Sequence, residues 1–295
     1  MNKLIGDIKW GTRQRLQYIE VMAYYTGVVT RSDVARAFGI SDAAATKDLK
    51  LYGQLSGDSL HYRHNVFGFV PSEGFQPLFA DLSPARVLPM IAANLAATSG
   101  PYGNRPIFGI AADSLPLPQR LPDHRVLAQT LRAIKQRNKL QVSYHSLSDR
   151  DSSQQRLLEP HTLVNTGTRW HLRAYNEETY DFRDFVLSRL ADAKMLSEPA
   201  ESSAQYDEDW IGIVTLQLTP HPGLNARQQA SVLMDYQNQN RRIEMPVRRA
   251  LAGYLLHRLS VDTTTDHSMN PNTHQLILLN RDEIEAFADW AFFKP

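Results

Sequence analysis

The chain has 295 residues and no cysteine, which at once removes thiolate nucleophiles, disulfides and cysteine-based zinc or iron–sulfur sites. Long apolar runs are also missing. No stretch of about 18 consecutive nonpolar residues is present to cross a bilayer. Met1-Asn2-Lys3-Leu4-Ile5-Gly6-Asp7 lacks the apolar segment of a secretory signal, so the expected address is cytoplasmic, with no membrane partner. An excess of one charge is absent too: 32 Lys and Arg face 31 Asp and Glu, which argues against coating nucleic acid without sequence preference. The motifs of common catalysis, His-Glu-x-x-His, Gly-x-Ser-x-Gly and a phosphate-cradling Walker loop, do not occur. Ten histidines are present, but His61, His64, His221, His257, His267 and His274 are scattered over separate segments and read as hydrogen-bonded structural residues. Asp262, Asp266, Asp282 and Glu283 read as solvated loop and helix-start acids. No enzyme, no metal site and no cofactor are expected.

What charge there is lies unevenly. Formal net charge is +3 over residues 1–64, −1 over 65–124, +3 over 125–200 and −4 over 201–295, so two basic modules flank a near-neutral connector and precede an acidic end. The length suits two or three domains.

The first module reads as helical. Leu16, Ile19 and Ala23 recur at helical spacing and predict a helix from about Arg13 to Tyr25. Thr30 or Ser32 can cap the next helix, whose buried stripe is Val34, Ala35 and Phe38. Gly39 makes a turn, Ile40 plugs the joint, and Ser41 caps a third helix running to about Gln54 with Leu49 facing inward. This is helix-turn-helix spacing, with small Ala35 allowing the helices to approach. Ser41, Ala43, Ala44, Thr46, Lys47 and Lys50 lie where a core does not need them, and small residues there let a backbone approach base edges while the longer ones reach bases or phosphates. Leu60 to Val70 predicts two short strands around a polar tip, a wing, with Arg63 and His64 placed for phosphate or minor-groove contact. A double-stranded DNA partner follows, and the modest charge of one copy favours a homodimer on an inverted repeat.

Nine prolines fall between Pro71 and Pro122, so this bridge is not one long helix, although Ser83-Pro84-Ala85 starts a short one to about Ala97, packed through Leu88, Ile91 and Leu95. A helix from His124 then leads to a strand at Leu140–Tyr144, with further strands near 156–165, 168–175 and 182–190. Strict alternation along Arg169-Trp170-His171-Leu172-Arg173-Ala174 puts Arg169, His171 and Arg173 on one face and core residues on the other. Arg183 and Arg189 alternate similarly on the next strand. Such a cationic shelf needs an anion; Glu177, Asp181 and Asp184 supply it if these are ordinary surface pairs, and a bound ligand supplies it otherwise. The ligand-facing set is Tyr144, Ser146, His161, Arg169, His171, Arg173, Arg183 and Arg189. Guanidiniums suit phosphate, and Tyr144 or His171 can stack on a base, so a nucleotide or oligonucleotide effector is expected.

The pattern Glu159-Pro160-His161-Thr162-Leu163 followed by Trp170-His171-Leu172 resembles the WYL domain, a small Sm-like β-barrel of bacterial transcription regulators, with His171 where the name has Tyr. Ser41 with Thr46-Lys47-Asp48-Leu49 is similar to the recognition helix of DeoR-type and WYL regulators. Downstream, strands at 211–219, 241–247 and 275–280 alternate with helices at about 224–237, 248–260 and 282–292. This last segment resembles the C-terminal extension of the BrxR and CapW group, dimeric regulators encoded beside antiphage systems.

The resemblance implies an α+β multidomain chain: a winged helix-turn-helix domain at 1–75, a Pro-rich helical bridge at 76–124, an Sm-like WYL ligand-sensing domain at 125–200 and an α/β sandwich extension at 201–295 that dimerises. It implies a repressor of an antiphage defence operon, relieved when a nucleic-acid-derived ligand engages the WYL face. The competing reading is an accessory protein that binds RNA or single-stranded DNA to modulate a defence effector.

Overall fold

A computed structural model describes residues 6–98, 109, 110, 112, 113, 115, 117–147, 155–238 and 240–292, with the backbone alone at 94–98. The chain divides into two compact units, Met1–Pro116 and Leu117–Pro295.

In the first unit α1 (Trp10–Thr26), α2 (Arg31–Phe38) and α3 (Asp42–Ser56) precede a hairpin of β1 (Leu60–Arg63) and β2 (Gly68–Pro71), and α4 spans Pro84–Thr98. The helices begin and end where local chemistry directs. Thr30 and Asp33 form a capping box at α2, each side chain accepting from the other's backbone N–H. Gly39 closes α2 at φ 62°, a left-handed conformation costly for residues with a Cβ. Leu16, Ile19, Ala23, Val34, Ala45 and Tyr52 are fully buried together, each large side chain contributing about 1.5–3 kcal/mol. Phe38, expected inside, is 37 % exposed and only edges against Tyr18. Gly68 lets the hairpin dock: a Cβ there would lie 2.6 Å from Val28 Cγ2, beside the backbone bridge between Val29 and Phe69.

The bridge starts as part of this unit. Glu20, wholly buried in α1, accepts from the backbone N–H groups of Leu78, Phe79 and Ala80 at 2.7, 2.9 and 2.6 Å. Phe79 and Val87 join the core, and Ile91 packs on it. Leu88, expected to pack, is 64 % exposed because the helix turns Val87 inward instead, and the side chain of Leu95 lies outside the described residues.

The second unit opens with α5 (His124–Gln136), followed by β3 (Asn138–Tyr144), β4 (Gln155–Asn165), β5 (Trp170–Asn176), β6 (Asp181–Val186) and β7 (Leu190–Pro199). These strands form one antiparallel sheet in the order β6-β5-β4-β3-β7. The expected barrel is therefore an open sheet among the described residues, with β6 and β7 at its edges. The expected strand at 182–190 is two elements, since Leu187–Arg189 forms a 3-10 turn before β7. Val126 and Ala133 of α5 pack on Leu140, Leu158, Leu172, Ala174 and Phe185.

A short helix α6 (Glu208–Ile211) leads into a second sheet of β8 (Ile213–Pro220), β9 (Ile243–Arg248), β10 (Val261–Asp262) and β11 (Leu276–Leu278), in the order β10-β11-β8-β9. Helices α7 (Ala226–Asp235), α8 (Arg249–Arg258) and α9 (Arg281–Ala288) cover it, with Leu216, Leu218, Leu256 and Ile284 at the centre. No helix among the described residues is long and apolar enough to cross a membrane.

Candidate nucleic-acid interface and ligand face

The recognition candidate α3 is held from behind. Arg15 of α1 donates through Nε to Asp48 Oδ2 at 2.6 Å and through Nη2 to Oδ1 at 3.2 Å, so the inward carboxylate is paired while Lys47 and Lys50 stay exposed. Ser41 caps the helix by accepting from the Ala44 N–H at 3.2 Å, and Thr46 donates back to the Asp42 carbonyl at 2.8 Å. Ser41, Ala43, Lys47 and Lys50 are exposed, Ala44 and Thr46 are half-buried, and Ala45 between them is in the core.

The hairpin stands beside this face. Arg63 and His64 are exposed at its tip, His64 meeting the Tyr62 ring edge-on at 5.1 Å. Phe67 completes the tip at φ 48°, 78 % exposed. A groove of about 490 Å³ runs between the N-terminus of α2, α3 and the hairpin, with Arg31, Thr46, Lys50, Tyr62 and Phe67 among its walls. Arg31 and Tyr62 were not in the expected set. The Thr30 cap places Arg31 at the first turn of α2, where it pairs with Asp42 at 3.5 Å; the spacing gave no sign that this turn and the hairpin share a groove.

The ligand face differs more from expectation. In β5 four successive residues, His171, Leu172, Arg173 and Ala174, are buried, because the sheet is covered on both sides. Leu172 and Ala174 pack toward α5 as expected, whereas Trp170, expected on the same core face, is 38 % exposed at the start of the strand. On the other side the C-terminal part of the unit lies over the shelf: the His171 ring lies 4.9 Å from that of Tyr254 of α8, tilted by 45°, and Arg173 meets Asp207, the cap of α6. His171 is 1 % exposed and Arg173 5 %. Burial, then the nearby guanidiniums of Arg169 and Arg189, lowers the His171 pKa to about 4, so it stays neutral.

Register corrects the placement of the second row. Arg173 faces Asp184 across β5 and β6, while Arg183 faces Ala174 and thus lies on the other side of the sheet. Asp184 takes the place on the shelf that alternation alone assigned to a base; its Oδ1 lies 3.5 Å from Arg173 Nη1, Tyr254 donates to its Oδ2 at 3.2 Å, and burial holds its carboxyl above the usual range. Arg183 pairs with Asp181 at 2.7 Å on the surface.

His161 sits in a bulge between the pairs of Pro160 and Thr162, its Nε2 3.2 Å from Asp207 Oδ2, and burial lowers its pKa. Tyr144 is half-buried, its hydroxyl accepting from the Val186 N–H at 3.3 Å. Ser146, Arg169 and Arg189 are half-exposed, Arg189 on the 3-10 turn after β6. Of the eight residues expected to face a ligand, His171 and Arg173 are covered and His161 is turned into the Asp207 cluster. Asp207 and Tyr254 do this covering. Asp207-Glu208-Asp209 is legible as a helix start, but nothing local says which strand it will meet. Elsewhere His221, scattered in the sequence, shares a buried hydrogen bond with Asp262 at 3.2 Å.

Three family models match the chain in order. They are the BrxR transcriptional regulator winged helix-turn-helix domain over residues 11–93, the WYL domain over 125–195 and the BrxR transcriptional regulator C-terminal dimerization domain over 213–284. The DNA-binding transcriptional repressor CapW of Pseudomonas aeruginosa is 31% identical over 277 residues, covering 94% of this chain and 92% of that protein. The repressor of the same name from Escherichia coli (strain KTE188) is 33% identical over 278 residues, with 94% and 92% covered. That of Stenotrophomonas maltophilia is 31% identical over 284 residues, with 95% and 93% covered.

Proposed function

The chain belongs to the BrxR family of WYL-domain transcriptional regulators, and from that premise we propose that it is a dimeric, sequence-specific repressor that silences an antiphage defence operon until a nucleic-acid-derived effector engages the WYL-containing unit. The observation that carries this reading is α3: a capped helix, anchored from behind by Arg15 and Asp48, that turns Ser41, Ala43, Lys47 and Lys50 outward beside a hairpin bearing Arg63 and His64. The relatives named above are DNA-binding transcriptional repressors that this chain matches over nearly their full length, which supports the same action here and a non-enzymatic, cytoplasmic regulator. The matched C-terminal model carries dimerization in its description, and two copies of α3 related by a two-fold axis fit an inverted repeat. The domain limits go with this reading: residues 1–75 bind the operator, 76–124 bridge, 125–200 sense and 201–295 dimerise.

A gel shift with the DNA immediately upstream of the chain's own operon tests it, repeated with oligonucleotides and cyclic nucleotides added. The expected result is salt-sensitive binding to a single inverted repeat with a Kd on the order of 10⁻⁸ M or tighter, released by one of the added ligands. Equal affinity for random duplex, with retention of single strands, would replace the repressor by an accessory nucleic-acid-binding protein.

A further inference from the structure

Within the second unit a cleft of about 380 Å³ opens between the β4–β5 hairpin and α8. Thr168 and Arg169 form one wall, His257 and Arg258 the other, and Trp290 closes the end. A smaller hollow of about 190 Å³ shares Tyr254 and Arg258 with it. The larger volume alone falls in the range of about 300–1,000 Å³ that suits small ligands.

Three features give this cleft a chemistry. First, Arg169 and Arg258 have no acidic partner within ion-pair distance among the described residues, whereas Arg183, Arg242 and Arg281 each have one and Arg173 has two. Two uncompensated guanidiniums on facing walls favour an anion, and their planar forks suit phosphate oxygens. Second, the Trp290 ring lies 4.8 Å from that of Tyr254 and 5.2 Å from that of His257, yet remains 50 % exposed. An indole held by two rings with part of its surface open is a platform on which a base can stack. Third, the hairpin backbone comes down directly on Arg258: Gly167 turns at φ 82°, and a Cβ there would lie 3.1 Å from Arg258 Nε. The glycine both permits the turn and leaves the room that sets Arg258 against the hairpin.

We propose that this cleft is the effector site, with Arg169 and Arg258 holding the phosphate of a nucleotide and Trp290 stacking on its base. The inference rests on the reading that the unit senses a nucleic-acid-derived ligand, and moves its site from the strand face of the WYL domain to the boundary with the C-terminal sheet and helices. The ligand unit is a nucleoside phosphate, either free or at the end of a single strand. The position also explains how occupancy can be felt elsewhere, since the ring ladder from Trp290 through Tyr254 reaches His171 and lies beside the buried Asp184.

Calorimetric titration of the intact chain tests this, using adenosine monophosphate, a thymidine pentanucleotide with and without a 5′-phosphate, and inorganic phosphate as probes. The expected result is nucleotide binding weakened about tenfold or more by Arg258→Ala and by Thr168→Glu, both exposed positions that leave the fold intact. Trp290→Leu should weaken nucleotides by about tenfold while leaving inorganic phosphate unchanged. Tight binding of the monophosphate identifies a free nucleotide; tight binding of the 5′-phosphorylated strand alone identifies a strand end. Wild-type affinity in all three variants, with loss in Arg189→Ala, overturns the cleft and leaves the sensing role intact. Dissociation of the variants to monomers by light scattering also overturns it, as the cleft would then be a subunit contact. Failure of every probe to bind the wild-type chain overturns the cleft, while operator binding in the gel shift still decides the repressor by itself.

Discussion

Arg173 and Asp207 meet through two hydrogen bonds, Nε to Oδ2 at 2.7 Å and Nη2 to Oδ1 at 2.9 Å, with both side chains buried. The pair joins β5 to the cap of α6, so a residue that reads locally as part of a cationic shelf ties the first sheet to the helix that leads into the second. Removing Arg173 leaves the buried carboxyls of Asp184 and Asp207 without their shared cation, and removing Asp207 leaves Arg173 with Asp184 alone. Arg173→Ala and Asp207→Ala should each destabilise the second unit by about 3–5 kcal/mol in chemical denaturation, and Arg173→Met with Asp207→Leu should recover much of that loss. An Arg173→Ala chain as stable as the wild type would show that the pair contributes nothing.

On α3, Lys47→Glu should abolish operator binding, because it sets a carboxylate against phosphates or bases in the groove. Lys50→Ala should weaken binding more uniformly across sequences and lower the slope of log affinity against log salt by about 1. Gel shifts at several salt concentrations separate the two; an unchanged slope in Lys50→Ala would remove it from the phosphate contacts.

The Thr30 capping box predicts a measurable cost in the first unit. Thr30→Ala removes one half of the reciprocal pair with Asp33 and should cost about 0.5–2 kcal/mol, whereas Thr30→Ser should retain most of the stability. Thermal melts of the two variants side by side decide it.

His171 predicts a dependence on pH. Its pKa falls from 6.5 to about 4 on folding, so between these values the unfolded chain binds the extra proton and stability declines as the pH falls, by up to about 1.4 kcal/mol per unit. Asp184, whose carboxyl is held up by burial, acts with the opposite sign above its ordinary value. Comparing the wild type with His171→Gln isolates the histidine: the variant should gain relative stability as the pH drops from 6.5 toward 4, and parallel curves would refute the assignment.

Much of the first unit was legible because its signals are local. A hydroxyl before a helix, a glycine after one and an apolar residue every three or four positions act within a single turn, and α1 to α3 begin and end within a few residues of where those signals put them. The hairpin and the outward row on α3 followed from the same short-range rules. The ligand face was legible only in part. Alternation correctly separated Leu172 and Ala174 from His171 and Arg173, but it could not say that both faces are covered, or that the register sets Asp184 and not Arg183 opposite Arg173.

Sequence by itself determined the order of the domains, the capped helix α3 and the family, since each depends on residues close together in the chain or on their order along it. Tertiary structure alone decided which cations are free. Whether an arginine is a ligand contact or half of a buried pair depends on what folds over it: Asp207 lies 34 residues beyond Arg173 and Trp290 lies 121 beyond Arg169. Only the packing of the C-terminal sheet and helices against β5 covers Arg173 while leaving Arg169 open beside Arg258.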